Sequence, residues 1–303
     1  MDIAIMIEGQ NGLTWPRWQK LAAAVEELGF AGLYRSDHFT NAALPDLDSL
    51  ELWTSLTWLA SHTRRIEFGP LVSPLSVRHP AQTARMAAAV DDLSGGRLTL
   101  GLGAGWQERE HSLFGFDLLT FKERFGRFEE GLEVITRLLK SDQPVVFEGS
   151  YYKLRGATLL PRPGRPGGPR ILVGGNGEKR TLPLVARYAD EWNAAFPTPT
   201  EYSRLSARLD ELLKVQGRQS GSVRRSLMTG LRFGRTNREL DEKLAGHGQS
   251  AGELLQRGFV VGVGEEVKEQ LVEREHAGVQ RIMLQWLDLD DLDGLAALAK
   301  AIL

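Results

Sequence analysis

Eight short runs rich in apolar and β-branched residues recur along the chain, at residues 3–7, 32–35, 66–71, 98–101, 171–173, 191–194, 228–233 and 281–285. Between them apolar positions fall at helical spacing, so the pattern predicts strands alternating with amphipathic helices. Helix boundaries carry their own signals. Thr14 precedes Trp15-Pro16 as a predicted cap with proline in the first turn, and Gly29 ends the pattern Leu21, Val25, Leu28. Pro80 opens another helix, and Gly95-Gly96 close it after Leu93.

Eight strand-then-helix units predict an α/β fold, a single (β/α)8 TIM barrel over residues 1–303, whose sites form from the loops that follow the strands. A doubly wound open sheet is the alternative. That fold usually carries G-x-G-x-x-G directly after its first strand, whereas Ile7 here leads into Glu8-Gly9-Gln10-Asn11-Gly12. One long insertion separates strands four and five: a helical stretch at 121–139, a hairpin at Tyr151-Tyr152, and a Pro/Gly-rich loop at 161–169. Residues 216–225 read as a polar loop or disordered tip.

Composition narrows the function classes. The formal charge is −2 and the pI about 6.3, which gives no basic surplus for a nucleic-acid backbone. There is no cysteine, hence no disulfide, thiolate nucleophile or Cys-ligated zinc, and with no leader pattern at Met1 a cytoplasmic protein is expected. No apolar run approaches the roughly 18 residues of a membrane span.

Candidate chemistry sits at predicted strand ends. Ser36-Asp37-His38-Phe39 follows the second strand, and a histidine there, with an unperturbed pKa of about 6.5, can exchange a proton near neutral pH. The same residues also suit a turn, with Asp37 bonded locally and His38 packed on aromatic neighbours. After strand three, Gly69-Pro70-Leu71-Val72-Ser73-Pro74 offers small, rigid backbone against which a flat ring can lie. His79, between Arg78 and Pro80, reads as a helix-start residue rather than a ligand.

Gly101-Leu102-Gly103-Ala104-Gly105-Trp106 follows strand four; its glycines allow close approach of a cofactor, although packing turns share the pattern. After strand five, Val173-Gly174-Gly175-Asn176-Gly177 leads into a helix bearing Lys179, Arg180 and Thr181. That is an anion site fit for phosphate, or a glycine-rich turn with solvated basic residues. The six histidines (His38, His62, His79, His111, His247, His276) show no metal-ligand spacing, and neither G-x-S-x-G nor a P-loop occurs. Trp15, Trp18, Trp53 and Trp58 read as core or interface packing.

Together, S-D-H-F at 36–39, L-S-G-G-R and G-L-G-A-G-W across 93–106, and V-G-G-N-G with A-R-Y-A-D-E-W-N across 173–193 resemble the bacterial luciferase-like superfamily of flavin and deazaflavin oxidoreductases. E-G-Q-N-G-L-T-W and R-S-D-H-F are most similar to its coenzyme F420-dependent branch. The resemblance implies a barrel with a deazaflavin ring in its mouth, hydride transfer to or from a small organic substrate, and catalytic roles for His38 and Asp37, with Asp37 also at the cofactor. It further implies a non-prolyl cis bond between Leu71 and Val72, with Ser73 beside them against the ring. Ala104 and Gly105 would border the cofactor with Arg109 nearby, and Gly175, Asn176, Gly177 and Thr181 would receive its phosphate.

Sugar-phosphate dehydrogenases of the superfamily carry a catalytic glutamate where this chain has Trp106, which speaks for a more apolar substrate. An FMN-dependent monooxygenase served by a separate flavin reductase is the first alternative, and a non-catalytic flavin-binding barrel the second. Lys179, Arg180 and Arg109 would suit the acidic tail of F420. A homodimer is expected, with helices around 53–59 and 114–128 as candidate surfaces or, equally, as core.

Overall fold

A computed structural model of the chain describes residues 1–246 and 248–303; His247 lies outside them. The first half runs β1 (Asp2–Ile7), α1 (Trp15–Leu28), β2 (Gly32–Arg35), α2 (Leu52–His62), β3 (Glu67–Pro70), β4 (Ser73–Pro74), α3 (Pro80–Leu93) and β5 (Thr99–Gly103). An insertion follows with α4 (Glu108–Phe114), α5 (Phe121–Lys140), β6 (Val145–Glu148) and β7 (Lys153–Ala157). The second half runs β8 (Arg170–Gly174), α6 (Thr181–Tyr188), β9 (Glu191–Ala195), α7 (Pro199–Val215), β10 (Arg224–Phe233), α8 (Asn237–Gly246) and α9 (Ala251–Gln256). It ends with β11 (Val260–Gly262), α10 (Gly264–His276), β12 (Arg281–Gln285) and α11 (Leu292–Ile302).

All eight expected runs become parallel strands, paired in the order β3, β2, β1, β12, β10, β9, β8, β5. The ring closes where β4 pairs with β5 and Phe68 bridges Leu98, which makes a barrel rather than an open sheet. Strands of such a barrel are covered on both faces, so they read as nearly continuous apolar runs. In β1, Ile3, Ile5 and Ile7 pack outward against the helices, while Ala4 and Met6 point inward with Tyr34, Leu172 and Met283.

The helix signals act through the backbone. Gly29 adopts φ 94°, and Gly95 and Gly96 adopt 70° and 87°, left-handed values that glycine takes without a Cβ penalty. Thr14 occupies the N-cap of α1 but makes no side-chain cap bond, contrary to expectation. The inserted hairpin forms between β6 and β7, anchored by Glu130, whose carboxylate accepts the amides of Ser150, Tyr151 and Tyr152.

Two stretches depart in part from the sequence reading. Of its two alternatives for 216–225, the polar loop holds up to β10 and the disordered tip does not: Arg218 donates to the carbonyls of Ala186 and Ala189, and Arg225 is buried within β10, held to Ser206. Their charged heads suggested solvent, but long arginine stems bury readily when the heads find acceptors. The second departure follows β10. Its last three residues leave the barrel to pair with β11, and Leu240, Leu244, Leu254, Phe259 and Val261 form a satellite core there. Trp53, Leu56 and Leu59 of α2, with Phe128 of α5, are core residues. Among the described residues, no helix is long and apolar enough to cross a membrane.

The end of the barrel where the strands begin is plugged by charge. Arg281 donates to Tyr34 Oη at 2.5 Å, to Glu191 at 3.2 Å and to Glu67, and both Arg281 and Glu191 are almost wholly buried. Removing one partner of a buried pair strands the other charge in a dry environment, at a cost of about 3–5 kcal/mol. Arg281→Met is therefore expected to lower the urea midpoint by a corresponding amount; an unchanged midpoint would contradict the plug.

Candidate active site

At the opposite end, where the strands finish, a cavity of about 530 Å³ opens among the βα loops. This is the size and place of small-molecule sites in such barrels. Its floor comes from the break between β3 and β4. The Leu71-Val72 peptide is cis, and both residues line the cavity. Val72 reaches across to the neighbouring strands: a Cβ added at Gly103 would lie 2.5 Å from Val72 Cγ2, and one at Gly174 3.1 Å from Val72 Cγ1. A Cβ at Gly101 would lie 2.1 Å from the Pro70 carbonyl oxygen. Gly101 and Gly103 therefore admit the protein's own ridge, the packing use that the pattern left open, while Gly103 also lines the cavity.

His38 lines the wall above that floor. Its Nδ1 lies 3.0 Å from Glu110 Oε1, and the other carboxylate oxygen of Glu110 accepts the Phe39 amide at 3.0 Å. A carboxylate only accepts, so the neutral ring carries its hydrogen on Nδ1, and Nε2 has no hydrogen-bond partner among the described residues. Burial tends to lower the pKa of His38, but the bond to Glu110 and its charge, aided by Glu8 and Asp37, outweigh it and raise the pKa above its ordinary value. Glu8 also lines the cavity, fixed by Gln10 Nε2 at 3.0 Å and Gln285 Nε2 at 2.7 Å.

Asp37 stands off the lining. It accepts from Ser73 Oγ at 2.8 Å and from both terminal nitrogens of Arg78, tying the loop after β2 to β4 and to the start of α3. Burial pushes its pKa up against the pull of Arg78 and Ser73. Ser73 is likewise spent on Asp37. His79 caps α3, accepting the Ala81 amide at 3.2 Å.

Of the residues expected at a phosphate, Gly175 and Thr181 line the cavity. The Asn176 side chain instead clamps Ala195, donating to its carbonyl at 2.8 Å and accepting from its amide at 2.9 Å. Gly177 lies behind Thr181, where a Cβ would come 2.9 Å from the threonine hydroxyl. Ala104 and Gly105 line the cavity, whereas Arg109 turns away to Asp46 at 2.7 Å and the Asn41 carbonyl at 2.9 Å.

Residues that the sequence reading did not assign to the site complete the walls, chiefly Glu110, Phe121, Arg124, Phe125, Asn193 and Met228. Glu110 had one faint signal, an acid in the first turn of a helix after a glycine-rich strand end, and such acids usually serve only the helix dipole. Two features fit a flat anionic cofactor. The Leu71-Val72 ridge offers an apolar backing for a ring, and Nε of the lining residue Arg124 is buried with no hydrogen-bond partner among the described residues. Among the described residues no cluster of three His, Asp or Glu is placed to hold a metal ion.

Residues 1–281 match the luciferase-like monooxygenase family. The chain belongs to that family. Among luciferase-like relatives, the F420-dependent glucose-6-phosphate dehydrogenase of Kineococcus radiotolerans is 31% identical over 219 residues, which cover 70% of this chain and 62% of that protein. The 4-hydroxyprotoasukamycin monooxygenase of Streptomyces nodosus subsp. asukaensis is 33% identical over 184 residues, 61% of this chain and 47% of that protein. The chain thus spans about half to three fifths of the length of these curated relatives. A solved F420-dependent secondary alcohol dehydrogenase, in complex with an F420-acetone adduct, superposes with a TM-score of 0.87 at 17% identity, over 99% of this chain and 98% of that one.

The ridge makes a direct test of the luciferase-like floor. Gly103→Ala drives a methyl into stiff Val72, and overpacking of this kind costs about 1–3 kcal/mol. Adding Val72→Ala is expected to recover more than half of that loss in a double-mutant cycle read by urea unfolding. Simple additivity of the two substitutions would rule out the contact.

Proposed function

We propose that the chain is a coenzyme F420-dependent oxidoreductase that moves a hydride between the deazaflavin and a small organic substrate, with His38 handling the accompanying proton. One observation carries this reading: an imidazole held at Nδ1 by a buried carboxylate and lining a cavity at the mouth of the barrel. The F420-dependent relative and the F420-bound neighbour support the choice of cofactor. A bound deazaflavin supplies the hydride carrier; the protein supplies position and the proton.

Leu71 and Val72 would back the ring, with Ala104 and Gly105 at its edge, and Gly175, Thr181 and Arg124 would take its phosphate. Glu110 holds His38 in one tautomer, so that Nε2 accepts a proton from a substrate hydroxyl when neutral and returns it when charged. Asp37 and Ser73 act by holding the backbone that carries His38 and Val72; they are positioning residues. Asn176 and Gly177 shape the phosphate turn in the same indirect way.

An FMN-dependent monooxygenase is the second reading, supported by the family's description and by the monooxygenase relative. Titration of the purified apoprotein with F420 and with FMN separates the two, F420 being expected to bind at least about tenfold tighter, a difference of about 1.4 kcal/mol. His38→Ala is expected to remove turnover while leaving F420 affinity within about tenfold. Tighter binding of FMN would favour the second reading, and unchanged turnover would refute the role of His38.

A further inference from the structure

Two large apolar side chains stand exposed at the mouth of the cavity, Trp106 and Phe121. Of sixteen large apolar side chains left exposed among the described residues, five (Trp106, Leu113, Phe114, Leu119 and Phe121) lie in the short stretch that follows β5. Trp106 is 61% exposed, lines the cavity and meets the His38 ring edge-on, with centroids 5.4 Å apart and planes at 81°. Phe121 lines the same mouth at 58% exposure. Scattered exposed hydrophobes need no explanation, but two large rings lining one cavity, one of them in edge contact with His38, do.

Charge points the same way. Arg124 is the one cationic side chain among the described lining residues besides His38, and its guanidinium already lies 5.7 Å over the Phe121 ring. Glu8 and Glu110 face His38 from β1 and α4, so a phosphate or carboxylate on the substrate would enter beside two acids. Like charges in a partly desolvated cleft exclude such a molecule.

We infer that the substrate is an uncharged ketone or secondary alcohol with an aromatic or alkyl arm, and that Trp106 selects it by covering that arm while the oxygen sits at His38 Nε2. This rests on the hydride-transfer function proposed above. In the reducing direction the carbonyl carbon gains the hydride of a reduced deazaflavin, the C=O π pair moves onto oxygen, and that oxygen takes the Nε2 proton. The products are a secondary alcohol, the oxidised deazaflavin and neutral His38, and atoms and electrons balance.

The test uses calorimetry on the full chain loaded with oxidised F420, in which a ketone binds but cannot react. Benzylacetone, acetone and glucose-6-phosphate are the probes. Benzylacetone is expected to bind at least about tenfold tighter than either of the others, Trp106→Ala to abolish that advantage, and Trp106→Phe to keep most of it. Trp106→Ala should leave F420 affinity within about threefold, since the side chain is mostly exposed and its ring contact is with His38. Tighter binding of glucose-6-phosphate, or equal benzylacetone affinity in wild type and Trp106→Ala, overturns this inference and leaves the cofactor assignment standing. Failure to bind F420 at all overturns both.

Discussion

The bond between Glu110 and His38 is the constraint on which the site depends. It joins residues 72 positions apart, across the top of the barrel, and it settles two problems at once. A carboxylate 2% exposed needs donors, and it finds them in the imidazole Nδ1 and the Phe39 amide. An imidazole beside a cavity is left with either nitrogen free to carry its hydrogen, and the carboxylate fixes that hydrogen on Nδ1. Were either side chain removed, the other would be left buried and underbonded, and the loop after β2 would lose its tie to α4.

Around that bond the protein spends its polar groups on geometry. Asp37, Ser73 and Arg78 bind one another, not the cavity, and so lock the chain on both sides of the Leu71-Val72 ridge. The Asn176 amide does the same for the turn after β8 by pairing with Ala195. Glycines at 101, 103 and 174 let two strands, β5 and β8, close on Val72 and Pro70, so the floor is closely packed and apolar while its supports are polar and hidden. Rigid supports of this kind hold reacting groups in place without reorganisation.

Much of this was legible in the residues. Eight apolar runs gave the barrel, Gly29 and Gly95-Gly96 gave helix ends, and His38 drew notice as an imidazole at a strand's end. Less legible was direction. Nothing in S-D-H-F says that the aspartate turns inward to an arginine 41 residues away while its neighbour turns to the cavity. Arg109 and Glu110 are adjacent acid and base on one helix, and only the packed fold sends the arginine out to Asp46 and brings the glutamate in to His38. Likewise, G-x-G-x-G looks the same whether a cofactor or a valine fills the space above it. Local pattern specifies elements; long-range contacts decide which side chain of a pair reaches the site.

The account turns on the state of one ring. Nitrogen-15 NMR of labelled protein, titrated with pH, reads the tautomer and pKa of His38 directly, against the fields of Glu110, Glu8 and Asp37 that face it. The account requires hydrogen on Nδ1 in the neutral form, a pKa above about 6.5, and a fall in that pKa in Glu110→Gln. Hydrogen on Nε2, or a pKa indifferent to Glu110, would contradict it.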